Sequence, residues 1–232
     1  MGRIVDLVFP ENIYCICCGD MINKSRIHSI CDNCLEHINW NTDNHFKSKM
    51  SDFAFDDVLS CCIYGNYMRS VIYEMKLKGK TYIAKYVGRL LAERINLAQA
   101  EDDLKVDFLV PVPCSKKKRL QRGFNQTELI AKEVSKLTGI QTLCALEKTK
   151  DTKASKTVRG VDRYFVQYGA FGINKKLNEG ANEIKSRRFL IVDDVITTGS
   201  TVDECARVLK SAGASWVGVL CLASSAQVGD RT

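Results

Sequence analysis

No stretch of this chain approaches the ~18 apolar residues that a membrane-spanning helix needs, so insertion into a membrane is not expected. The opening MGRIVDLVFPENIYC carries one arginine and two acids and has no long apolar run, so a secretory leader is not expected either. Asp6 stands where a myristoylation signal needs Ser or Thr. There is no repeat of the length that builds solenoids and no low-complexity tract. Two familiar phosphate-binding signatures are missing. The G-x-G-x-x-G spacing is absent, and no lysine follows the glycine of the one hydroxyl-rich turn, which excludes a Walker loop. Aromatic residues are only 8% of the chain and show no stacking platform. No His or Cys is placed as an obvious nucleophile.

What is present suits a globular protein. Hydrophobic residues make up 45%, enough for a sizeable core. The formal net charge of +7 is clustered, in Lys116-Lys117-Lys118-Arg119 with Arg122 and in Lys148, Lys150, Lys153, Lys156 and Arg159. Such clusters suit the phosphates of a nucleotide or a nucleic acid, or form a solvated basic face. The 11 cysteines are an odd number without an export signal, so a reducing cytoplasm is expected rather than a disulfide framework.

Four of those cysteines are patterned. In CICCGDMINKSRIHSICDNC, Cys15 and Cys18 form one C-x2-C pair and Cys31 and Cys34 another, with twelve residues between the pairs. Two such knuckles let four thiolates converge tetrahedrally on Zn²⁺. Gly19 and Asp32-Asn33 permit the tight turns. A closed four-cysteine site has no open position for chemistry, so its expected role is structural, holding a segment too short to build its own core. Cys17 has the wrong spacing and reads as a bystander. His28 and His37 are spare. Cys61, Cys62, Cys114, Cys144, Cys205 and Cys221 have no metal spacing and read as small buried apolar residues.

Beyond a polar stretch over residues 41–55, read as a linker or docking segment, strand and helix patterns alternate. Strands are expected at Asp57 to Tyr64, Asp107 to Pro113, Arg188 to Val192 and Ser215 to Ala223. Helices are expected at Tyr67 to Met75, Tyr82 to Leu97, Phe124 to Leu137 and Ser200 to Ala212, with Leu129, Ile130, Val134 and Leu137 sharing one side of the third. Gly213 reads as a helix C-terminal cap. This alternation implies an α/β fold with a mainly parallel sheet. Two units are expected: a four-cysteine module over residues 1–45 and an α/β domain over 46–232.

The stretch FLIVDDVITTGSTV, residues 189–202, concentrates the chemistry. Ligands of open α/β sheets bind at the carboxyl ends of strands, and Asp193-Asp194 is expected just beyond such an end. Ser200-Thr201 begins the next helix, whose first amides lack internal partners. Thr197, Thr198, Gly199, Ser200 and Thr201 then offer a nest of N–H groups, a helix N-terminus and several hydroxyls, which together form an anion cradle. Gly199 lets the backbone approach the anion closely. The carboxylates repel an anion, so they need a polyol or a metal-bound hydroxyl. A sugar phosphate satisfies both halves. An ordinary N-capped helix would explain one acid and leave the pair and the hydroxyl run unexplained.

Those residues carry a resemblance. FLIVDDVITTGST resembles the phosphoribosyl-pyrophosphate (PRPP) motif of type I phosphoribosyltransferases. PVPCSKKKRLQRGFNQTELIA, the GAF at Gly169 to Phe171 and DECARVLKSAGA at Asp203 to Ala214 are similar to the competence protein F (ComF/ComFC) family. So is the order of a four-cysteine knuckle followed by a phosphoribosyltransferase-like domain. The resemblance implies that Asp193 and Asp194 contact ribose hydroxyls with Mg²⁺ nearby. It implies that Thr197 to Thr201 wrap the 5′-phosphate and that Arg122-Gly123 forms the pyrophosphate loop. A flap is implied over Lys148 to Tyr168, where Ser155 and Val166 depart from the family's pattern and Arg163 keeps it. The resemblance further implies a part in uptake of single-stranded DNA during natural transformation, with the strand itself or a DNA-uptake helicase as partner. The alternative is an active phosphoribosyltransferase of nucleotide metabolism acting on an unknown acceptor. A zinc-dependent protein-interaction module is a third reading, but it leaves the PRPP motif without purpose.

Overall fold

In chain order the elements are α1 (Asp32–His37), β1 (Asp57–Ile63), α2 (Asn66–Leu77), α3 (Ile83–Asp102), β2 (Phe108–Pro111), α4 (Lys116–Arg122), α5 (Gln126–Thr138), β3 (Gln141–Thr142), β4 (Leu146–Lys148), β5 (Phe171–Ile173), α6 (Ala181–Ile184), β6 (Arg188–Ile196), α7 (Ser200–Ser211) and β7 (Trp216–Ser224). This is a computed structural model, and it describes residues 13–23, 26, 28–41, 53–102, 104–150, 167–177 and 181–225. Most of the expected flap, including Lys153, Ser155, Lys156, Arg159, Arg163 and Val166, lies outside those residues.

Five strands form one sheet in the order β1-β7-β6-β2-β3, and each neighbouring pair is parallel. A parallel sheet is covered on both faces, which is why β6 and β7 read as near-continuous apolar runs. Side chains nonetheless sort by the strand period of two. Leu190 and Val192 pack with α2, α3 and α5, while Phe189 and Ile191 pack with α6 and α7 on the other face. The two helices α3 and α5 meet closely at Gly88, where an added Cβ would lie 2.6 Å from the Cβ of Glu133.

Three local readings change. β6 does not stop at Val192; its pairing with β7 continues through Asp193, Val195 and Ile196. The apolar residues of the FLIVDDVI run beyond the acids keep the ladder going, so the acid pair sits within the strand, near its carboxyl end, rather than past it. In α5, Ile130 and Val134 are buried but Leu137, in the last turn, is 52% exposed. The basic run Lys116–Arg122 is a short helix, capped by the Ser115 side chain at its start and closed by Gly123 at φ +79°.

The N-terminal segment is tied into the main core. Ile16, Ile30, Cys34 and Ile38 join the apolar cluster of α2 and α3. Trp40 bridges Cys62 in antiparallel sense, and Asn41 N–H donates to the Cys61 carbonyl at 2.9 Å. The segment therefore covers the free edge of β1, which would otherwise offer unpaired backbone groups. Among the described residues, no helix is long and apolar enough to cross a membrane.

Candidate functional site

The four patterned cysteines come together. The Sγ atoms of Cys15, Cys18, Cys31 and Cys34 all lie within 4.8 Å of one another, and those of Cys18 and Cys31 are 3.7 Å apart. Tetrahedral thiolate ligands at about 2.3 Å from one ion would stand about 3.8 Å apart, so the cluster fits a metal of that kind. Backbone amides support the sulfurs: Cys31 N–H donates to Cys15 Sγ and Cys34 N–H to Cys31 Sγ, each at 3.4 Å. The second knuckle is built on the start of α1, so Asp32 and Asn33 form a helix's first turn rather than a tight turn of their own. The Cys15 thiol is pushed down to about 3, first by a hydrogen bond from the Cys17 thiol, whereas burial pushes Cys18 up to about 11. Four thiols at such distances cannot all ionise without a cation between them. His28 faces Glu93 at 3.5 Å, and His37 Nδ1 lies 2.6 Å from the Asn33 carbonyl, so neither belongs to the cluster.

A second site lies at the carboxyl end of the sheet. A cleft of about 270 Å³ is lined by Asp193, Asp194 and Thr201 from the β6–α7 stretch, by Lys118 and Arg122 from α4, and by Lys76 and Lys148. Beside it, a cavity of about 40 Å³ is lined by Asp193 and by Thr197, Thr198, Gly199, Ser200 and Thr201. The sequence-predicted acids, hydroxyl turn and Arg122 thus meet in one place. Gly123 does not line the cleft; it closes α4 in the left-handed conformation.

The hydroxyl turn has the geometry of an anion cradle. α7 begins at Ser200 after Gly199, which sits at φ +79° and makes no side-chain cap, so the first amides of the helix are left for another acceptor. The turn is anchored from behind: Ser225 Oγ donates to the Thr197 carbonyl at 2.6 Å and Ser225 N–H to that of Ile196 at 2.9 Å.

The two acids are not equivalent. Asp194 is 1% exposed, and its Oδ2 lies 2.6 Å from Lys76 Nζ. Asp193 is half-buried and borders both cavities. Its carboxyl is pushed up to about 8, first by burial and then by the charge of Asp194, with Lys76 pulling the other way. Around the pair stand four cations, Lys76, Lys118, Lys148 and Arg122, so the cleft carries an excess of positive charge suited to a polyanion.

Several contacts hold the site in place. Asn125 Nδ2 and Thr127 Oγ1 donate to the Val112 carbonyl at 3.1 and 2.7 Å, tying the start of α5 to the end of β2. Asp203 and Glu204, both 4% exposed in the first turns of α7, accept from Ala54 N–H at 2.6 Å and Gly169 N–H at 2.7 Å. Phe53 lies over the turn, 3.0 Å from where a Cβ on Gly199 would stand. The polar stretch before β1 therefore does dock, at its Phe53–Phe55 end.

Sequence reasoning missed Lys76, Gln167 and the packing of Phe53. Lys76 follows the buried Met75 in an ordinary amphipathic helix, and nothing in that periodicity marks it. The basic run is also divided in use. Lys118 and Arg122 line the cleft, Arg119 pairs with Glu128 at 2.7 and 3.0 Å, and Lys116 and Lys117 are exposed. Of the unpatterned cysteines, Cys61, Cys62, Cys205 and Cys221 are buried as expected; Cys144 is exposed and Cys114 lines the cleft. Both depart from the apolar-core reading, and each stands in the connection just after a strand, Cys114 after β2 and Cys144 after β3. All eleven cysteines are free.

Comparison with known proteins agrees with this geometry. The phosphoribosyl transferase domain family matches residues 127–230. The chain is 28% identical to competence protein F of Haemophilus influenzae over 212 residues, 90% of this chain and 84% of that one. It is 30% identical to DNA utilization protein YhgH of Escherichia coli over 161 residues, 68% of each chain. Competence protein ComFC of Bacillus subtilis is 23% identical over 224 residues, 91% of this chain and 83% of that one. With the parallel sheet, the strand-end acids, the hydroxyl turn and the four-cysteine cluster in the same chain, the protein belongs to the competence protein F family and carries a type I phosphoribosyltransferase fold.

Proposed function

We propose that the protein binds PRPP, or a related ribose 5-phosphate compound, and serves the uptake of single-stranded DNA in natural transformation. The observation that carries the ligand reading is the junction of the two cavities at Asp193, with hydroxyls and open amides on one side and an acid pair among cations on the other. The 5′-phosphate sits on the amides of Thr197 to Thr201, and the ribose hydroxyls meet Asp193 and Asp194. The diphosphate lies toward Arg122 and Lys118. Mg²⁺ travels with the diphosphate and screens its charge, and the carboxylate oxygens at the cleft are the hard ligands that such an ion takes.

The four-cysteine cluster binds Zn²⁺ as a structural ion. The sulfur spacing supports this, as does the covering of the β1 edge by the segment it staples. In this reading residues 1–45 act as a module that also carries partner contacts, and 46–232 as the ligand-binding domain. The exposed lysines Lys116 and Lys117, with the basic residues near the flap, hold single-stranded DNA by charge. The DNA-uptake helicase is the protein partner. Free cysteines throughout suit a cytoplasmic setting.

Thermal unfolding with and without PRPP and Mg²⁺ tests the ligand reading. A ligand at a hundredfold its Kd adds about 2.7 kcal/mol to the folded state, a shift of several degrees. No shift up to millimolar PRPP contradicts it. Adding isotope-labelled PRPP and a panel of nucleobases then reads whether pyrophosphate is released, which separates a transferase from a binder.

A further inference from the structure

Lys76 is the charged group at the cleft that no motif marks. It stands in the last turn of α2, outside the motif, and its Nζ lies 2.6 Å from Asp194 Oδ2. Its side chain keeps 24% exposure while that of Asp194 keeps 2%, so of the two cleft-lining groups the ammonium is the more open and the carboxylate the more enclosed. A buried ion pair is poor at raising stability, since each ion gives up its hydration, and its better-attested use is to fix a group in place. An ammonium has three donors, and Asp194 takes one. The two acids also differ in placement. Asp193 borders both the cleft and the cavity of the hydroxyl turn, whereas Asp194 lines the cleft alone.

We propose that Asp194 is a positioning residue for Lys76, and that Lys76 binds the diphosphate of the ligand from α2 while Arg122 and Lys118 bind it from α4. This rests on the sugar-diphosphate reading given above and adds a division of labour within the acid pair. Asp193 serves the sugar directly. Asp194, besides its place at the ribose hydroxyls, acts through the lysine it holds. Lys76 thereby distinguishes a 1-diphosphate from a bare sugar phosphate, because only the former brings an anion to the part of the cleft that Lys76 lines.

The test compares two probes, PRPP and ribose 5-phosphate, each titrated calorimetrically with Mg²⁺ into the full chain. The variants are Lys76→Met and the double variant Lys76→Met/Asp194→Asn, which leaves no unpaired buried charge. Lys76→Met should weaken PRPP about tenfold or more, the range of one charge-assisted hydrogen bond, and ribose 5-phosphate by no more than about threefold. The double variant should show the same collapse of the PRPP to ribose 5-phosphate preference. That ratio does not depend on what fraction of a variant is folded. Equal losses for both probes would make Lys76 a structural group and overturn the proposal, as would unchanged PRPP affinity. A wild-type protein that binds neither probe would overturn the ligand reading itself, and this proposal with it.

Discussion

Replacing Gly199 by alanine should destabilise the protein through two separable contacts. Gly199 holds φ +79°, where an L residue costs roughly 1–2 kcal/mol. The new Cβ would also stand 3.0 Å from Cε1 and 3.3 Å from Cζ of Phe53. That ring is not free to swing away, since it stacks on Phe55 with centroids 4.8 Å apart, and Phe55 is 2% exposed. Displacing it adds an overpacking cost of roughly 1–2 kcal/mol, so Gly199→Ala should lose about 2–4 kcal/mol in all. Urea unfolding followed by circular dichroism gives the loss as a shift in midpoint at constant slope. Truncating the ring separates the contributions. In the double variant Gly199→Ala/Phe53→Ala the overpacking vanishes while the backbone strain stays, so the two changes should fall short of additive by about 1 kcal/mol or more. Additivity within about 0.5 kcal/mol would refute the ring contact. A Gly199→Ala protein as stable as wild type would refute the left-handed turn as well.

Cys31→Ser should remove one of four thiolates and weaken metal binding that is also folding energy, read by metal analysis of reduced, chelator-free protein; zinc near zero in the wild type would end the zinc reading. Because burial and Asp194 raise the Asp193 carboxyl to about 8, a ligand that needs its carboxylate must displace a proton, so PRPP affinity should rise as pH climbs through about 8. Calorimetry in buffers of different ionisation enthalpy reads that proton, and Asp193→Asn should abolish it. The same raised carboxyl means that Asp193's own contribution to ligand-free stability, full below the ordinary carboxylate range near pH 4, is lost as pH rises through about 8, read as the pH dependence of the difference in urea midpoint between wild type and Asp193→Asn. Lys116→Ala/Lys117→Ala should reduce single-strand affinity and flatten its salt dependence by roughly 1.4 units of log–log slope while leaving PRPP binding intact, since neither residue lines the cleft. Unchanged slope would place the strand elsewhere.

The parts legible in the sequence are those set by local rules. The C-x2-C pairs carry their geometry in their spacing, and Cys15, Cys18, Cys31 and Cys34 converge as expected. The hydroxyl turn and the helix it opens follow from Gly199 and the apolar strand before it. What was hidden depends on tertiary neighbours. The length of β6 beyond Val192 is decided by β7, which offers Cys221 to Ser224 as pairing partners. The inequality of Asp193 and Asp194 depends on Lys76, which lies more than a hundred residues away in sequence. Phe53 over Gly199 is likewise a long-range contact, arranged by the bond from Ala54 to Asp203. Adjacent acids in one strand point to opposite faces, and no pattern in the motif tells which face holds a lysine.

The central claim is that the strand-end acids and the turn after them hold a sugar phosphate. Titration of PRPP with Mg²⁺ into wild type and into the Asp193→Asn/Asp194→Asn variant, at one pH and salt, tests it most directly. Hydrogen bonds to charged groups contribute about 1.5–3 kcal/mol each, so with both acids changed the variant should bind about a hundredfold more weakly or worse, with its fold retained. Equal affinity in the two proteins would contradict the account and leave the acids with some other purpose.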